Sequence, residues 1–331
     1  MIYYIDVIMM EKKLITPVIS CYTLERFRIT KKLILQLLNI KEYIDKILII
    51  VDKKDELYQK FKHNFGSNNI VEIKLNLFGF GLSNARNTGI NYCKSDLIAF
   101  LDDDALIKKN WAKNAIKNFN NKDIVAVGGD VIPLWIVDRP KWASDEIDWI
   151  YSGLSYMKPK KSEIQSVRGA NMIFRTSIFK RIGGGFNSNL GRKEGVLLSG
   201  DENEICYRIR KKLKNKKIIF DPSTVVYHII LPERVNIQYL LERGFYAGIS
   251  ISRLMKITGK ENSMNLSNEL SYSKYLLSNI IKKLFSIFSN FSRKINEILA
   301  ILTLLLLISL GFVVESKKLI KPQKNIDVHN E

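Results

Sequence analysis

The sequence predicts an α/β fold, a mainly parallel sheet covered on both faces by helices, followed by a C-terminal helical segment that associates with a membrane. Three observations carry this. Short apolar runs alternate with helical stretches from Ile15 to Ile132. Several of those runs end abruptly in polar or acidic residues, as strands do where a parallel sheet binds ligands beyond its carboxyl edge. The last part of the chain turns basic and amphipathic and then wholly apolar.

The elements follow in order. ITPVIS reads as a buried strand, and Leu24 to Ile40 carries apolar residues at helical spacing. KILIIV (Lys46–Val51) is a second strand, followed by a polar helix from Asp55 to about His63. IVEIKL (Ile70–Leu75) is a third, followed by a helix from Ser83 to Cys93, with Ser83 as its N-cap. DLIAFL (Asp96–Leu101) is a fourth strand, and a helix containing Trp111 and the strand DIVAVGGDVI complete the series. Such runs read as strands buried on both faces. From Pro133 to Pro232 the texture shifts to tryptophans (Trp135, Trp142, Trp149), glycine-rich turns and a helix headed by Asp201, Glu202 and Glu204. This is expected to be the second half of the same domain. The organisation is then an extension at 1–14, one domain at 15–255 and a helical, membrane-associated segment at 256–331.

In that last segment, Tyr272 to Lys294 is basic and amphipathic, and ILAILTLLLLISLGFVV (298–314) carries no charge. As a helix the apolar run would extend roughly 25 Å, the short edge of what spans a bilayer. Spanning, lying in the interface and burial are the three readings. Membrane attachment is favoured by the lack of charge and the end position, and the basic stretch suits anionic lipid.

Composition narrows the partners. The 331 residues carry 52 Lys and Arg against 33 Asp and Glu, a formal charge of +19. Such a field attracts an anionic membrane, a phosphorylated substrate or nucleic acid, although a Lys-rich composition throughout explains much of it. The basic residues are dispersed and form no nucleic-acid-binding module, so nucleic acid is excluded as a partner. Cys21, Cys93 and Cys206 lie far apart, which excludes a disulfide framework and a cysteine zinc site. The opening MIYYIDVIMMEKK is too short and wrongly ordered for a secretory signal, and Met9 or Met10 is a candidate start. The catalytic part is therefore expected on the cytoplasmic side.

The sharpest chemical signal is FLDDDA, an apolar strand ending in Asp102, Asp103 and Asp104. Three adjacent like charges repel, and a hard divalent cation relieves the repulsion. Alternate residues of an extended segment point the same way, so Asp102 and Asp104 can share one ligand assembly. Ser20-Cys21-Tyr22-Thr23 and Asp52 end the first two strands on the same edge. Tyr22 offers a flat surface for a base, and Asp52 and Asp102 offer acceptors for base and ribose. Arg86 lies in the first turn of a helix, where a cation and free N–H groups face phosphates.

VISCYTLER, IIVD, GLSNARNTGI and FLDDDA, in this order, resemble the family 2 inverting glycosyltransferases, which have the GT-A fold, a Rossmann-like nucleotide-diphospho-sugar transferase architecture. VRGANMIFR, RIGGGF and LSGDENEICYRIR are similar to that family's acceptor-side elements, which include Gly169 and Asn171 here. The resemblance covers about residues 15 to 230. NLGRKEGVLLSGDENE and HIILPERV further resemble members that elongate lipid-linked glycans, such as glucosyl-dolichyl-phosphate glucuronosyltransferases.

The resemblance implies a nucleotide-sugar donor, by family expectation a UDP-sugar, and a glycan or polyprenyl-linked acceptor. It implies Mg²⁺ or Mn²⁺ held by Asp104, with Asp102 at the ribose or metal and His228 as a candidate further ligand. Ser20, Tyr22 and Asp52 would hold the nucleoside, with Arg86, Asp102 and Asp103 completing the donor side. An acidic pair at a helix start supplies the general base, here Glu202 with Asp201 in reserve. Two departures stand out: the family's usual order in that pair is Glu then Asp, and Lys53-Lys54-Asp55 follow Asp52 where many members have small polar residues. Trp142 is assigned to the acceptor side, with core packing as the alternative for all three tryptophans. A transferase acting directly on a polyprenyl phosphate and a noncatalytic nucleotide-binding membrane scaffold are the competing functions.

Overall fold

The computed structural model describes residues 13–52, 54–153, 160–193, 195–259, 263–286, 288 and 290–318. Met9, Met10, Lys53 and the polar tail beyond 318 lie outside the described residues.

The expected parallel sheet forms over the first four strands. β1 (Ile15–Cys21) and β4 (Leu97–Asp102) lie at its centre, with β2 (Ile47–Val51) and β3 (Val71–Leu75) outward from β1. All their pairings are parallel. β2 is buried at every position, which is why it reads as an unbroken apolar run. Beyond β4 the parallel pattern stops. The full order is β3-β2-β1-β4, then β8 (Asn171–Arg175), β6 (Ile124–Trp135), β9 (Lys217–Ile230) and β5 (Ala105–Ile107), with β7 (Ser162–Glu163) paired to β9. β8 runs antiparallel to both β4 and β6, whereas β6 runs parallel to β9. DIVAVGGDVI therefore does not extend the first four strands directly, because the later strand β8 comes between. β5, unforeseen in the sequence, pairs antiparallel with β9, so Asp103 and Asp104 make the turn between β4 and β5.

Helices cover both faces. α1 (Phe27–Leu38), α2 (Asp55–Phe65) and α4 (Trp111–Asn118) bury aliphatic and aromatic side chains on one face. α3 (Leu82–Tyr92), α5 (Ile178–Ile182) and α6 (Asp201–Lys212) cover the other. α3 sits very close to β1: a side chain at Gly89 would collide with Val18. This proximity brings Arg86, one turn earlier on α3, to the sheet edge.

The tail is part of this body. α7 (Ile237–Thr258) packs lengthwise on α9 (Phe291–Lys318), where Gly244, Gly248 and Gly311 let the two backbones approach. The boundary drawn at 255 falls inside α7. The basic stretch Tyr272 to Lys294 is not one helix, since α8 (Ser263–Phe285) ends before α9 begins. The apolar run 298–314 is the interior of α9. Its inner face (Ile298, Ile301, Leu304) joins a third core with Tyr239 and Leu240 of α7 and Leu276 of α8, while Leu299, Leu302, Leu306, Leu310 and Val313 stay exposed. Glu297 pairs with Lys283 of α8, and Glu315 with Arg253 of α7, which ties down both ends of that run.

Candidate active site

The strand ends meet where the sequence places them. Ser20 of β1 is the register partner of Asp102 of β4, and the Asp52 N–H donates to the Cys21 carbonyl at 2.8 Å. Ser20, Tyr22, Asp52 and Asp102 border one open cavity of about 1040 Å³. Asp201, Glu202 and Gly169 border it from the other half of the fold.

Asp52 also holds the glycine-rich loop before α3. Its carboxylate accepts the Gly81 N–H at 2.8 Å and the Asn76 amide at 3.0 Å. Gly81 has φ +113, a conformation that favours glycine, and it stands where Ser83 was expected to cap. Ser83 instead lies inside α3 and donates to the Leu190 carbonyl at 2.8 Å, with Asp201 Oδ2 at 3.2 Å.

The acidic triplet divides by direction. Asp103 accepts from Arg26 Nη1 at 2.8 Å, and its carbonyl accepts the Thr30 hydroxyl at 3.0 Å, so it fastens the turn to α1. Asp104 is fully buried directly behind Asp102, in a position that does not border the cavity. Its Oδ2 lies 2.9 Å from Arg234 and 3.1 Å from Arg26, and its Oδ1 lies 3.0 Å from His228 Nε2. Burial raises its carboxyl pKa, but His228, Arg234 and Arg26 outweigh burial and hold it well below the ordinary value. The Ile229 N–H donates to the Asp104 carbonyl, which sets β9 and His228 against the turn.

One carboxylate oxygen each from Asp102 and Asp104 and one ring nitrogen of His228 lie within 4.8 Å of one another. Both Asp104 carboxylate oxygens and His228 Nδ1 are buried without a hydrogen bond. Two carboxylates and an imidazole fit a small divalent cation of the Mg²⁺ or Mn²⁺ kind, which would take up Asp104 oxygens that the structure pairs with Arg234, Arg26 and His228.

Arg86 does not stand free to meet phosphate, as its place in the first turn of a helix suggested. It is buried, 2.6 Å from Asp201 Oδ2 and 3.6 Å from Asp102 Oδ1, and it donates to the Gly169 carbonyl at 3.1 Å. The two acids on either side of it outcompete solvent. Burial raises the Asp201 carboxyl, but Arg86 and hydrogen bonds from Glu202, Arg86 and Ser83 bring it below its ordinary value. Glu202 moves oppositely: burial, then the charge and hydrogen bond of Asp201, push it up to about 7. A neighbouring pair of acids is thus split into a permanent anion and a group poised near neutrality.

Two acceptor-side expectations are corrected. Asn171 is fully buried and saturated. It accepts from Trp111 Nε1 at 2.9 Å and donates to the carbonyls of Asp130 and Thr224 at 3.0 and 2.8 Å. It locks β6, β8 and β9 together away from the cavity wall. Trp142 packs against the third core, and Trp149 is the tryptophan that borders the cavity. Arg26, Arg192, Arg234 and Arg243 also line it. Sequence reasoning passed over them because no local motif sets them apart from the other cations of a Lys-rich chain. Only HIILPERV, which puts Arg234 six residues after His228, hinted at one.

Residues 18–183 match the model of the family described as Glycosyl transferase family 2. Among curated relatives, the glucosyl-dolichyl phosphate glucuronosyltransferase of Haloferax volcanii is 26% identical over 238 residues, 71% of this chain and 75% of that protein. The succinoglycan biosynthesis protein ExoM of Rhizobium meliloti is 23% identical over 56% of this chain and 57% of its own length. A pre-mycofactocin glycosyltransferase of Mycobacterium tuberculosis is 21% identical over 61% of this chain but 41% of its own length. Among solved structures, the mannosyltransferase PcManGT of Pyrobaculum calidifontis, in complex with GDP-Man and Mn²⁺, superposes with a TM-score of 0.55 at 12% identity, covering 94% of this chain and 89% of that one. GalNAc-T7 with UDP, GalNAc and Mn²⁺ does so with a TM-score of 0.51 at 15% identity, over 77% of this chain and 55% of that one. At these identities the likeness shows the fold, which is GT-A.

Proposed function

Because this chain belongs to glycosyl transferase family 2, we propose that it is a metal-dependent, inverting enzyme that moves a sugar from a nucleotide-sugar, a UDP-sugar in the first instance, to a lipid-linked glycan at the cytoplasmic face of a membrane. One observation carries the reading. Asp102, with its ligand atom within 4.8 Å of those of His228 and Asp104, and Glu202, on α6, border the same cavity from opposite halves of the fold, with Arg86 spanning the gap.

Asp102, Asp104 and His228 would hold the cation, and a bound Mg²⁺ or Mn²⁺ supplies Lewis-acid stabilisation to a departing diphosphate. The chain's own residues do the rest. Tyr22, exposed at the cavity edge, offers a face to the base, and Ser20 and Asp52 offer polar groups to the nucleoside. Glu202 accepts the acceptor hydroxyl proton as that oxygen attacks the anomeric carbon opposite the leaving group. Asp201 stays ionised on Arg86 and keeps the Glu202 proton affinity high. Gly169 and Trp149 stand on the acceptor side. The lipid-linked acceptor is supported by the relative whose name includes dolichyl phosphate and by the apolar outer face of α9.

The test is a screen of nucleotide-sugars with Mn²⁺ and membranes containing prenyl-linked saccharides, detecting released nucleoside diphosphate. Release that requires metal and saccharide-bearing lipid, and is lost in Asp104→Ala, supports the proposal. Equal release with a bare prenyl phosphate would move the assignment to direct prenyl-phosphate glycosylation. No metal-dependent release with any donor would leave a noncatalytic scaffold.

A further inference from the structure

The cavity does not end at the catalytic groups. It continues along one face of α7, lined by Arg243, Ala247, Ile251, Leu254 and Met255, a helical spacing that turns one stripe toward the space. Leu305 and Ile308 of α9 face the same space. The wall is therefore apolar for several turns and cationic at its head.

Three guanidiniums gather at that head around the Tyr239 hydroxyl. Arg192 lies 3.4 Å from it, and Arg192, Arg234 and Arg243 together outweigh burial and bring the phenol down to about 8. Arg234 is paired with Asp104. Neither Arg192 nor Arg243 makes an ion pair with a carboxylate among the described residues. Arg243 is only 5% exposed, lies over the Trp149 ring and donates to the Leu197 carbonyl at 2.8 Å, yet its Nε is buried without an acceptor. A desolvated cation with no carboxylate in ion-pair contact, crowded by Arg192 and offset only by the farther Tyr239 and Glu202, is costly unless an anion completes it. Burial and the Arg192 charge lower the Arg243 guanidinium to about 10.

We infer that this is the seat of an amphiphilic acceptor: Arg192 and Arg243 bind the phosphate of a prenyl-type lipid phosphate, and its chain lies along the trough that α7 and α9 wall together, beside their contact. Charge complementarity selects the head and the α7 stripe selects the tail. Guanidinium recognition of a phosphate oxygen is charge-assisted, and its loss in a dry site is felt strongly. The inference rests on the lipid-linked acceptor proposed above and adds the residues that would hold it. A carboxylate on the donor sugar is the other anion with the same chemistry, and the experiment separates the two.

The full chain in detergent micelles is titrated by calorimetry with geranylgeranyl phosphate, geranylgeraniol and inorganic phosphate, and in parallel with UDP and Mn²⁺. Geranylgeranyl phosphate should bind at least tenfold more tightly than either other probe. Arg243→Met should weaken it roughly 10- to 100-fold, the loss of a charge-assisted contact, with geranylgeraniol and UDP–Mn²⁺ binding unchanged. Arg243→Lys should lose less than Arg243→Met, and Leu254→Trp should weaken both lipids. Equal affinity for phosphate and alcohol overturns the inference. So does an Arg243→Met protein that keeps lipid-phosphate affinity but no longer distinguishes UDP-glucuronate from UDP-glucose, which would assign the arginines to a donor carboxylate. Lipid-phosphate binding without sugar transfer would remove the transferase reading and leave this site. Transfer without preference for lipid phosphate would do the reverse.

Discussion

Arg86 and Asp201 form a buried ion pair, Nη1 to Oδ2 at 2.6 Å, with each side chain only 3% exposed. The same guanidinium reaches Asp102, so one side chain joins the carboxyl edge of the sheet to the helix that carries Glu202. Removing one partner strands the other charge in a dry site, which typically costs about 3–5 kcal/mol. Arg86→Met should therefore lower the urea midpoint substantially, and Arg86→Lys should recover only part of the loss because one ammonium cannot replace the fork on Asp201 and Gly169. An unchanged midpoint in Arg86→Met would show that the pair does not join the two halves.

Glu202 should set the pH dependence. With its carboxyl raised to about 7, the basic form is a minority below neutrality. kcat/KM should rise about tenfold per pH unit below 7 and level off above it, since the rate follows the ionised fraction. Glu202→Gln should lose roughly 10²- to 10⁴-fold at pH 8, the usual worth of a positioned base. Stability runs the other way. A carboxyl raised in the folded state binds its proton more tightly than the unfolded chain does, so its ionisation destabilises the fold as pH climbs toward 7. Glu202→Gln should accordingly have a higher urea midpoint than the parent at pH 8 and a similar one at about pH 4, below the ordinary glutamate value. A flat pH–rate profile in the parent enzyme, or full activity in Glu202→Gln, would discard Glu202 as the base.

The Asp102–Asp104–His228 group should bind Mn²⁺ without substrate. Asp104 contributes the most buried oxygens, and both lack hydrogen bonds. Asp104→Asn removes the charge with little change in volume and should abolish high-affinity Mn²⁺ binding, read as free Mn²⁺ by electron paramagnetic resonance. His228→Gln should weaken binding less, since two carboxylates remain. Mn²⁺ affinity should fall in acid, because protons compete with the metal for its ligands. Unaltered Mn²⁺ affinity in Asp104→Asn would mean that the buried arginines, not a metal, neutralise the triplet.

What the sequence made legible follows from distance along the chain. β1, β2 and β4 are apolar throughout because helices cover both faces, so their carboxyl ends, and Ser20, Asp52 and Asp102 with them, stand out by contrast. Asp201 and Glu202 were legible as an acidic helix start. The partners that decide their chemistry were not. Arg86 meets Asp201 across 115 positions, and no local pattern encodes that pairing. The same blindness applied to Asn171, whose three hydrogen bonds go to β6, β9 and α4 and not to a ligand. β8 was hidden because antiparallel insertion into a parallel sheet depends on where a later strand returns, not on its own five residues. In the tail, the charge pattern suggested one basic helix, whereas the stretch is divided between α8 and α9, which share a core with α7.

The outer face of α9 should hold the protein to lipid lying flat. Leu306 is 69% exposed, and Leu299, Leu302, Leu310 and Val313 continue the stripe. Burying each leucine in the acyl boundary is worth on the order of 1.5–3 kcal/mol. Leu306→Glu with Leu310→Glu should therefore release the protein from vesicles containing anionic lipid in a flotation assay, while Mn²⁺ binding at the distant triplet is retained. The ion pairs of Glu297 with Lys283 and of Glu315 with Arg253 fasten both ends of the apolar run to α8 and α7 of the same body. A helix held along its length in this way lies beside the domain, so alkaline carbonate should extract the parent protein from membranes. Resistance to carbonate, with the two substitutions leaving flotation unchanged, would instead require α9 to leave α7 and cross the bilayer.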